Sequence, residues 1–273
     1  MTLFFVVDNI SNFQGSEIET FLDNFLFPIN GLDGNNMTYI EKLLSMGKTV
    51  LIDSGIFSLA ADYARKKQIP LHEAFAVNPA KFDGFSKLFD AYVSIIGKLK
   101  ERVWGYIEMD IGGQDNKIAI RSQIESMGLS PMPVYHPLND TPEYFDYLAE
   151  RYPRICVGNL VDASPDLKNR IIWDIDRRRK KHPHLWIHFL GISLSPHCFT
   201  FQVDSCDSSG IASLFRWHKI ESKILLKDMD FIQRKYFTYR TTEERKKAYK
   251  ISAVNVDSYI RCEAAYRKEL SCS

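Results

Sequence analysis

Three aspartates each end a mainly apolar segment of the sequence. Asp53 follows Val50–Ile52, Asp110 ends a segment that begins at Trp104, and Asp204 follows another apolar run. Parallel strands buried on both faces are continuous apolar runs, and in barrels of such strands the C-terminal strand ends form the active site. One such carboxylate more often caps a helix or closes a turn, but three favour a shared site. Neighbouring carboxylates can act as nucleophile and proton carrier.

These segments belong to a repeating pattern of strands and helices, which predicts a parallel sheet with right-handed crossovers. Seven strands are predicted, and an eighth is expected in the irregular stretch before Lys48. A TIM-type barrel takes about 250 residues, so a chain of 273 residues fits a (β/α)8 barrel that is irregular or incomplete at its N-terminal strands. The predicted strands span residues 3–8, 49–53, 104–110, 132–136, 154–160, 186–192 and 199–205.

The sequence divides into two parts. Residues 1–216 are predicted to form the barrel, and residues 217–273 a helical, basic C-terminal extension packed on it. Within the barrel, apolar residues recur every three or four positions from Phe85 to Leu99, which predicts a helix with one buried face. Thr141-Pro142 and Ser164-Pro165 are typical helix starts.

Composition restricts the class of protein. The formal net charge is +1, with 45% hydrophobic and 25% charged residues, as in soluble globular proteins. The first eight residues are apolar but lack a basic leader and contain Asp8, so a first strand is expected rather than a signal or a membrane segment. Five irregularly spaced cysteines favour reduced thiols and a cytoplasmic location. No metal site or cofactor is predicted.

The order of the motifs resembles the tRNA-guanine transglycosylase superfamily, in particular its short phage-type members that place 7-deazaguanines in DNA. The resemblance extends from about Thr49 to Gly210, and each motif has its place at a strand end. Its motifs are Leu51-Ile52-Asp53-Ser54-Gly55 with Phe57, Ile107–Asp110, Val157–Leu160, Leu190–Ile192 and Val203–Ser205.

The resemblance implies base exchange by double displacement at the anomeric carbon of a nucleotide. Asp204 is expected to attack that carbon and expel guanine, and Asp53 to carry the proton to guanine and from the incoming base. Asp110 is expected to accept the two adjacent donors of the guanine edge. Asp207 is the alternative nucleophile, since the tRNA enzymes have two aspartates three apart and use the second. Asp204 is preferred because it directly ends the apolar segment.

Further residues are expected around the base. Phe57 or Tyr106 is a candidate to stack on the base, although a core role is the commoner one for an aromatic residue. His136 either makes a polar contact to the base or is a satisfied core histidine. The remaining candidates belong to turns that let the backbone approach a flat ligand: Ser54, Gly55, Gly158, Asn159 and Gly191.

Two departures from the family are visible. Ile56 and Asn159 stand where the family has glycines, which affects the shape of the pocket. The cysteine-rich zinc site that follows the nucleophile in the tRNA enzymes is missing, so DNA is the expected partner, with tRNA as the alternative.

Two basic stretches are candidates for phosphate contacts. Arg177–Lys181 precedes a strand, which would place it at the end of the barrel away from the site, so the tail is the better candidate. Two other functions remain: a non-catalytic nucleic-acid-binding subunit, and an unrelated barrel enzyme acting on a sugar phosphate, for which Ser208-Ser209-Gly210 is a weak phosphate loop. The sequence leaves a homodimer or an accessory protein open.

Overall fold

A computed structural model of the chain describes residues 2–10, 13–15, 19, 22–32, 34–192 and 204–208. They form an α/β structure with one eight-stranded, all-parallel sheet in the order β4-β3-β2-β1-β8-β7-β6-β5. A parallel bridge between Ile107 and Met132 joins the two edges, so the sheet curls as in TIM-like folds. The strands are β1 (Thr2–Val6), β2 (Asn24–Pro28), β3 (Thr49–Asp53), β4 (Gly105–Tyr106), β5 (Val134–Tyr135), β6 (Arg154–Val157), β7 (Trp186–Phe189) and β8 (Ser205–Ser208).

Helices alternate with the strands along most of the described chain. Short 3-10 turns occur at Ile29–Gly31 and Pro79–Lys81. The α-helices in the described ranges are α1 (Gly34–Ser45), α2 (Ile56–Lys67), α3 (Leu71–Ala74), α4 (Phe85–Leu99), α5 (Gly113–Ser126), α6 (Pro142–Arg151) and α7 (Pro165–Arg179).

Local sequence accounts for where several helices begin. The Oγ atom of Ser164 accepts the backbone N–H of Leu167 at 3.3 Å and caps α7, as the sequence predicts. Thr141 precedes α6 but makes no side-chain cap. In α4, four residues of the predicted stripe are buried: Leu88, Tyr92, Ile96 and Leu99.

The apolar core has two parts, on the two faces of the sheet. The larger part lies between the sheet and the helices and includes Phe27, Tyr39 and Phe145. The smaller part fills the interior of the curled sheet. Its buried members alternate along their strands with residues that face the helices, as the pleat requires: Phe4, Leu26, Leu51, Ile107, Met132, Val134 and Cys156.

The missing eighth strand is β2, which lies before Lys48 as expected. The prediction that the last strand ends at Ser205 was wrong. Ser205–Ser208 forms β8, and its register with β1 pairs Leu3 with Cys206. Asp204 therefore precedes this strand instead of ending it, while residues 199–203 lie outside the described chain.

The extension predicted for residues 217–273, and the end of the barrel domain at residue 216, also lie outside the described residues. Within the described ranges, no helix combines the length and apolar character needed to cross a membrane.

Candidate active site

Asp53 is the last residue of β3 and opens a tight turn into α2. Its Oδ2 atom accepts the backbone N–H of Gly55 at 3.2 Å. Gly55 has a φ of +72°, and a Cβ atom there would lie 3.0 Å from the backbone nitrogen of Asn30 in the 3-10 turn after β2. Only glycine meets both conditions without strain. The Asp53-Ser54-Gly55 turn thus fixes the carboxylate at the C-terminal end of the sheet.

Asp110 follows β4 and forms a buried pair with His136, which follows β5. The Nε2 atom of His136 lies 2.7 Å from Oδ2 of Asp110. A carboxylate only accepts hydrogen bonds, so we place a proton on Nε2. Burial, followed by the positive charge of Lys117, lowers the pKa of His136. The neutral imidazole therefore donates to Asp110 and keeps an unprotonated Nδ1.

A buried ion pair between Lys117 of α5 and Asp140 contacts the backbone of His136. Asp140 accepts the backbone N–H of His136 at 2.6 Å. Lys117 contacts the same carboxylate oxygen and donates to the carbonyl oxygen of Val134 at 2.9 Å. Both charged side chains are fully buried, where only close pairing makes them tolerable. This pair fixes the end of β5, and through it the imidazole that contacts Asp110.

Asp207 lies in β8, two residues after Ser205, and its side chain reaches the end of β7. Its Oδ1 atom accepts the backbone N–H of Gly191 at 2.8 Å. The Nε2 atom of His188 lies 3.4 Å from the same oxygen. Among the described residues, none hydrogen-bonds the other carboxylate oxygen. Within the described part of the chain, Asp207 thus has one oxygen held in place and a second one without a hydrogen bond.

The three carboxylates Asp53, Asp110 and Asp207 form one electrostatic cluster. Burial raises the pKa of Asp53 to about 7, and the charges of Asp110 and Asp207 add to this effect. Their places in the fold account for this effect: Asp53 ends β3, Asp110 follows β4, and the Asp207 side chain contacts Gly191 after β7, so all three belong to the C-terminal end of the sheet. A carboxyl with a pKa near neutrality can both give and take a proton.

Asp204, the preferred nucleophile of the sequence analysis, does not belong to this cluster. It lies before β8, at the N-terminal end of the sheet, where its backbone carbonyl accepts the N–H of Thr2 at 2.7 Å. Its carboxylate accepts Nη2 of Arg179 and the backbone N–H of Ile187, both at 2.9 Å. The geometry gives Asp204 a structural role and leaves Asp207 as the carboxylate of β8 that faces the site.

Two of the remaining candidates, Ser54 and Phe57, lie next to Asp53 in the turn and the start of α2. The buried Oγ atom of Ser54 has no hydrogen-bond partner among the described residues. Phe57 is 46% exposed in the first turn of α2, so the core role that is commoner for an aromatic does not apply. Its ring centroid lies 6.4 Å from that of Phe75, which contacts the His136 ring edge-on at 5.1 Å.

Gly158 and Asn159 follow β6, and Gly191 follows β7; each contacts a neighbouring strand or loop. A Cβ atom on Gly158 would lie 3.1 Å from Leu190 and 3.2 Å from Val134, so this glycine makes room for neighbouring side chains. Asn159 has a φ of +60° and donates to the side chain of Asn139, tying the loops after β5 and β6 together. Gly191, with a φ of +64°, supplies the N–H that holds Asp207.

Sequence reasoning missed His188, Lys117 and Asp140. The available signal for His188 was its spacing of two from Trp186, which places both side chains on one face of β7. Lys117 and Asp140 carried no such signal, because charged residues at these positions are normally solvated.

The arginines of the basic run Arg177–Lys181 lie in the last turn of α7 and form intramolecular ion pairs. Arg177 and Arg178 contact Asp174, and Arg179 contacts Asp204. The contact to Asp204 places this run at the N-terminal end of the sheet, opposite the carboxylate cluster. The tail, the other candidate for phosphate contacts, lies outside the described residues.

The described residues contain no group of three or more His, Cys, Asp or Glu side chains arranged to hold a metal ion. Comparison of the chain with protein-family models, with curated proteins and with solved structures finds no match.

Proposed function

We propose that this protein is a guanine transglycosylase that exchanges guanine in a nucleic acid for a 7-deazaguanine of the 7-cyano-7-deazaguanine type. The observation that carries the proposal is the cluster of Asp53, Asp110 and Asp207, in which Asp53 has a pKa of about 7. One ionised carboxylate beside one proton carrier is the minimum equipment for double displacement at an anomeric carbon.

In this mechanism Asp207 is the nucleophile. Its Oδ1 atom is held by Gly191, so Oδ2 attacks C1′ of the target nucleotide. The bond between C1′ and N9 of guanine breaks, the electron pair leaves with guanine, and a covalent glycosyl ester forms on Asp207. A carboxylate suits this step because it stabilises an oxocarbenium-like transition state and can leave again.

Asp53 moves the proton in both half-reactions. In its protonated form it donates to the departing guanine and becomes a carboxylate. It then takes the N9 proton of the incoming 7-deazaguanine, whose N9 attacks C1′ and breaks the bond to Asp207. The two displacements return Asp53 and Asp207 to their starting states and retain the configuration at C1′.

Asp110 reads the base in this proposal. His136 donates to Oδ2 of Asp110 and fixes the plane of the carboxylate, so that its oxygens can accept N1–H and the 2-amino group of guanine. The exposed ring of Phe57 supplies a surface for stacking. The buried hydroxyl of Ser54, which has no partner among the described residues, is proposed to contact the base.

We propose DNA as the polymer, a TIM-type (β/α)8 barrel as the complete catalytic domain, and residues 217–273 as the phosphate-binding extension. The cysteines that follow β8, Cys262 and Cys272, lack zinc-site spacing, which supports DNA over the tRNA alternative. A duplex substrate requires the nucleotide to be flipped out at a cost of a few kcal/mol, repaid through phosphate contacts.

The test measures incorporation of labelled guanine and labelled 7-cyano-7-deazaguanine into duplex DNA, single-stranded DNA and bulk tRNA. We expect label in DNA, and a loss of roughly 10³-fold or more in Asp207→Asn. Asp204→Asn is the matched control. It should keep its activity while losing stability, because it disrupts the contacts of Asp204 to Arg179 and Ile187.

Three outcomes would contradict parts of this proposal. Label in tRNA alone would establish the alternative polymer. Loss of exchange in Asp204→Asn with full activity in Asp207→Asn would contradict the assigned nucleophile. Absence of exchange into every polymer would exclude a stand-alone transglycosylase.

A further inference from the structure

A chain of polar contacts runs through the interior of the curled sheet toward Asp207. The Nε1–H of Trp186 donates to Oγ of Ser205 at 2.9 Å, and Oγ of Ser205 lies 2.9 Å from Nδ1 of His188. Nε2 of His188 then faces Oδ1 of Asp207 at 3.4 Å. These three contacts lead from the indole at the start of β7 to the carboxylate near the end of β8.

Strand geometry produces this chain. His188 and Ser205 are partners in the register of β7 and β8. Trp186 and His188 are two residues apart, as are Ser205 and Asp207, so each pair projects from one face of its strand. The four side chains therefore make three contacts, each between β7 and β8. The ring of Phe4 packs edge-on against His188 at 5.6 Å between centroids.

The chemistry of the donors and acceptors indicates which atom donates in each of these contacts. An indole N–H only donates, so Ser205 accepts from Trp186. The oxygen of Ser205 could accept a second hydrogen bond, so the tautomer of His188 follows from its other neighbour. Asp207 is a carboxylate and only accepts, so we place the ring proton on Nε2, and Nδ1 then accepts the hydroxyl proton of Ser205. The buried Nε2 atom has no hydrogen-bond partner among the described residues, and Asp207 is the acceptor it faces.

We infer that His188, oriented by Ser205 and Trp186, is a positioning residue that donates from Nε2 to Oδ1 of Asp207 and aims Oδ2 at the anomeric carbon. The inference rests on the proposed function for its catalytic consequence. A separation of 3.4 Å exceeds the usual 2.7–3.2 Å of a hydrogen bond, and such contacts in ligand-free sites commonly tighten in the complex. Together with Gly191, His188 gives the same oxygen two donors.

The first readout does not depend on activity. Nitrogen-15 NMR of imidazole-labelled protein reports the tautomer of His188, whose signal is assigned by its disappearance in His188→Gln. We expect the Nε2–H tautomer in the parent, a mixture of tautomers in Ser205→Ala, and a shifted Nε2 signal in Asp207→Asn. An Nδ1–H tautomer in the parent, or a His188 signal that ignores both variants, would overturn the inference.

The second readout is the kinetics of exchange. His188→Leu removes the donor and should slow formation of the covalent adduct by about 10- to 100-fold, the range for a hydrogen bond to a charged group. KM for the incoming base should stay within about twofold, since His188 does not contact the base. His188→Gln places an amide N–H near the former Nε2 and should recover most of the rate.

Thermal melting of each variant separates slow chemistry from misfolding. A folded His188→Leu variant with the parental rate would overturn the inference. If the parent exchanges no base but the NMR coupling between His188 and Asp207 is present, the proposed function fails and the positioning of Asp207 by His188 stands. If exchange is normal but that coupling is absent, the positioning role of His188 fails and the proposed function stands.

Discussion

Nε2 of His136 lies 2.7 Å from Oδ2 of Asp110, and both side chains are buried at the C-terminal end of the sheet. β4 and β5 are the two edge strands of the sheet, and the contact joins the segments that follow them. It therefore sets the orientation of the carboxylate proposed to read the base, and it depends on the sheet curling to bring its edges together.

Removing this imidazole should weaken recognition of the base more than it weakens the fold. In His136→Phe, Asp110 loses a donor worth about 1.5–3 kcal/mol, so KM for guanine should rise by roughly 10- to 100-fold. His182→Phe is the control, because His182 lies after α7 near Asp146, away from the cluster. Steady-state exchange kinetics give KM for guanine in both variants. An unchanged KM in a folded His136→Phe variant would contradict the role of this pair.

Asp53 should make the fold less stable as the pH rises. Its pKa of about 7 exceeds the unfolded value near 3.9, so the folded state holds more protons between those values, and stability falls as the pH rises through them. Asp53→Asn does not titrate. It should be more stable than the parent at pH 8, by at most about 4 kcal/mol at roughly 1.4 kcal/mol per pKa unit, and should lose this advantage near pH 4.

Urea denaturation at pH 4, 6 and 8 measures this difference. Asp62→Asn is the control on α2, because the exposed Asp62 pairs with Lys66 and Arg65, which lower its pKa. At pH 8, the free energy of unfolding of Asp62→Asn should be slightly lower than that of the parent, whereas that of Asp53→Asn should be higher. An Asp53→Asn advantage that grows on acidification would show that Asp53 does not titrate as described.

Removing one partner of a buried ion pair beside the site should destabilise the protein more than replacing both partners. Nη1 of Arg121 in α5 lies 2.8 Å from Oε2 of Glu108, and Oε1 of Glu108 accepts the backbone N–H of Val134 at 2.7 Å. Arg121→Met leaves a buried carboxylate unpaired and should lower the free energy of unfolding by about 3–5 kcal/mol. Adding Glu108→Gln should recover most of that loss, because the amide oxygen can still accept from Val134.

Denaturant unfolding of the two single variants and the double variant gives the coupling between these residues. Strict additivity would mean that the two charges do not stabilise each other.

Sequence patterns predicted the parts of the site that follow continuous apolar strands. Asp53 and Asp110 were found because each ends such a run. The sequence misplaced β8 because the preceding segment is apolar, whereas the strand itself, Ser205–Ser208, is polar: Ser205 and Asp207 belong to the polar chain inside the sheet. Pairing with β1 decides the register, and no local pattern contains that information.

The buried charges were beyond sequence reasoning for a similar reason. Lys117 lies in a helix of low apolar character, where a lysine is normally solvated. Only the packing of α5 against the ends of β4 and β5 shows that it is paired with Asp140. The positions of His136 and Asp110 therefore depend on contacts between segments more than twenty residues apart.

The turn at Gly55 supplies a stability prediction with a built-in control. Gly55 has a φ of +72°, and a Cβ atom there would lie 3.0 Å from the Asn30 backbone nitrogen and 3.1 Å from its side chain. Gly55→Ala should therefore destabilise the protein by about 1–2 kcal/mol through left-handed strain, and by more if Asn30 cannot move. Because this turn holds Asp53, exchange activity should fall with stability.

Gly97→Ala is the matched substitution. Gly97 is exposed in the last turns of α4, and a Cβ atom there meets nothing within 4 Å. Alanine should stabilise this helix by about 0.5–1 kcal/mol and leave exchange unchanged, as measured by urea denaturation and the incorporation assay. A Gly55→Ala variant as stable as Gly97→Ala would mean that the turn relaxes freely, and the rigid placement of Asp53 would then require another cause.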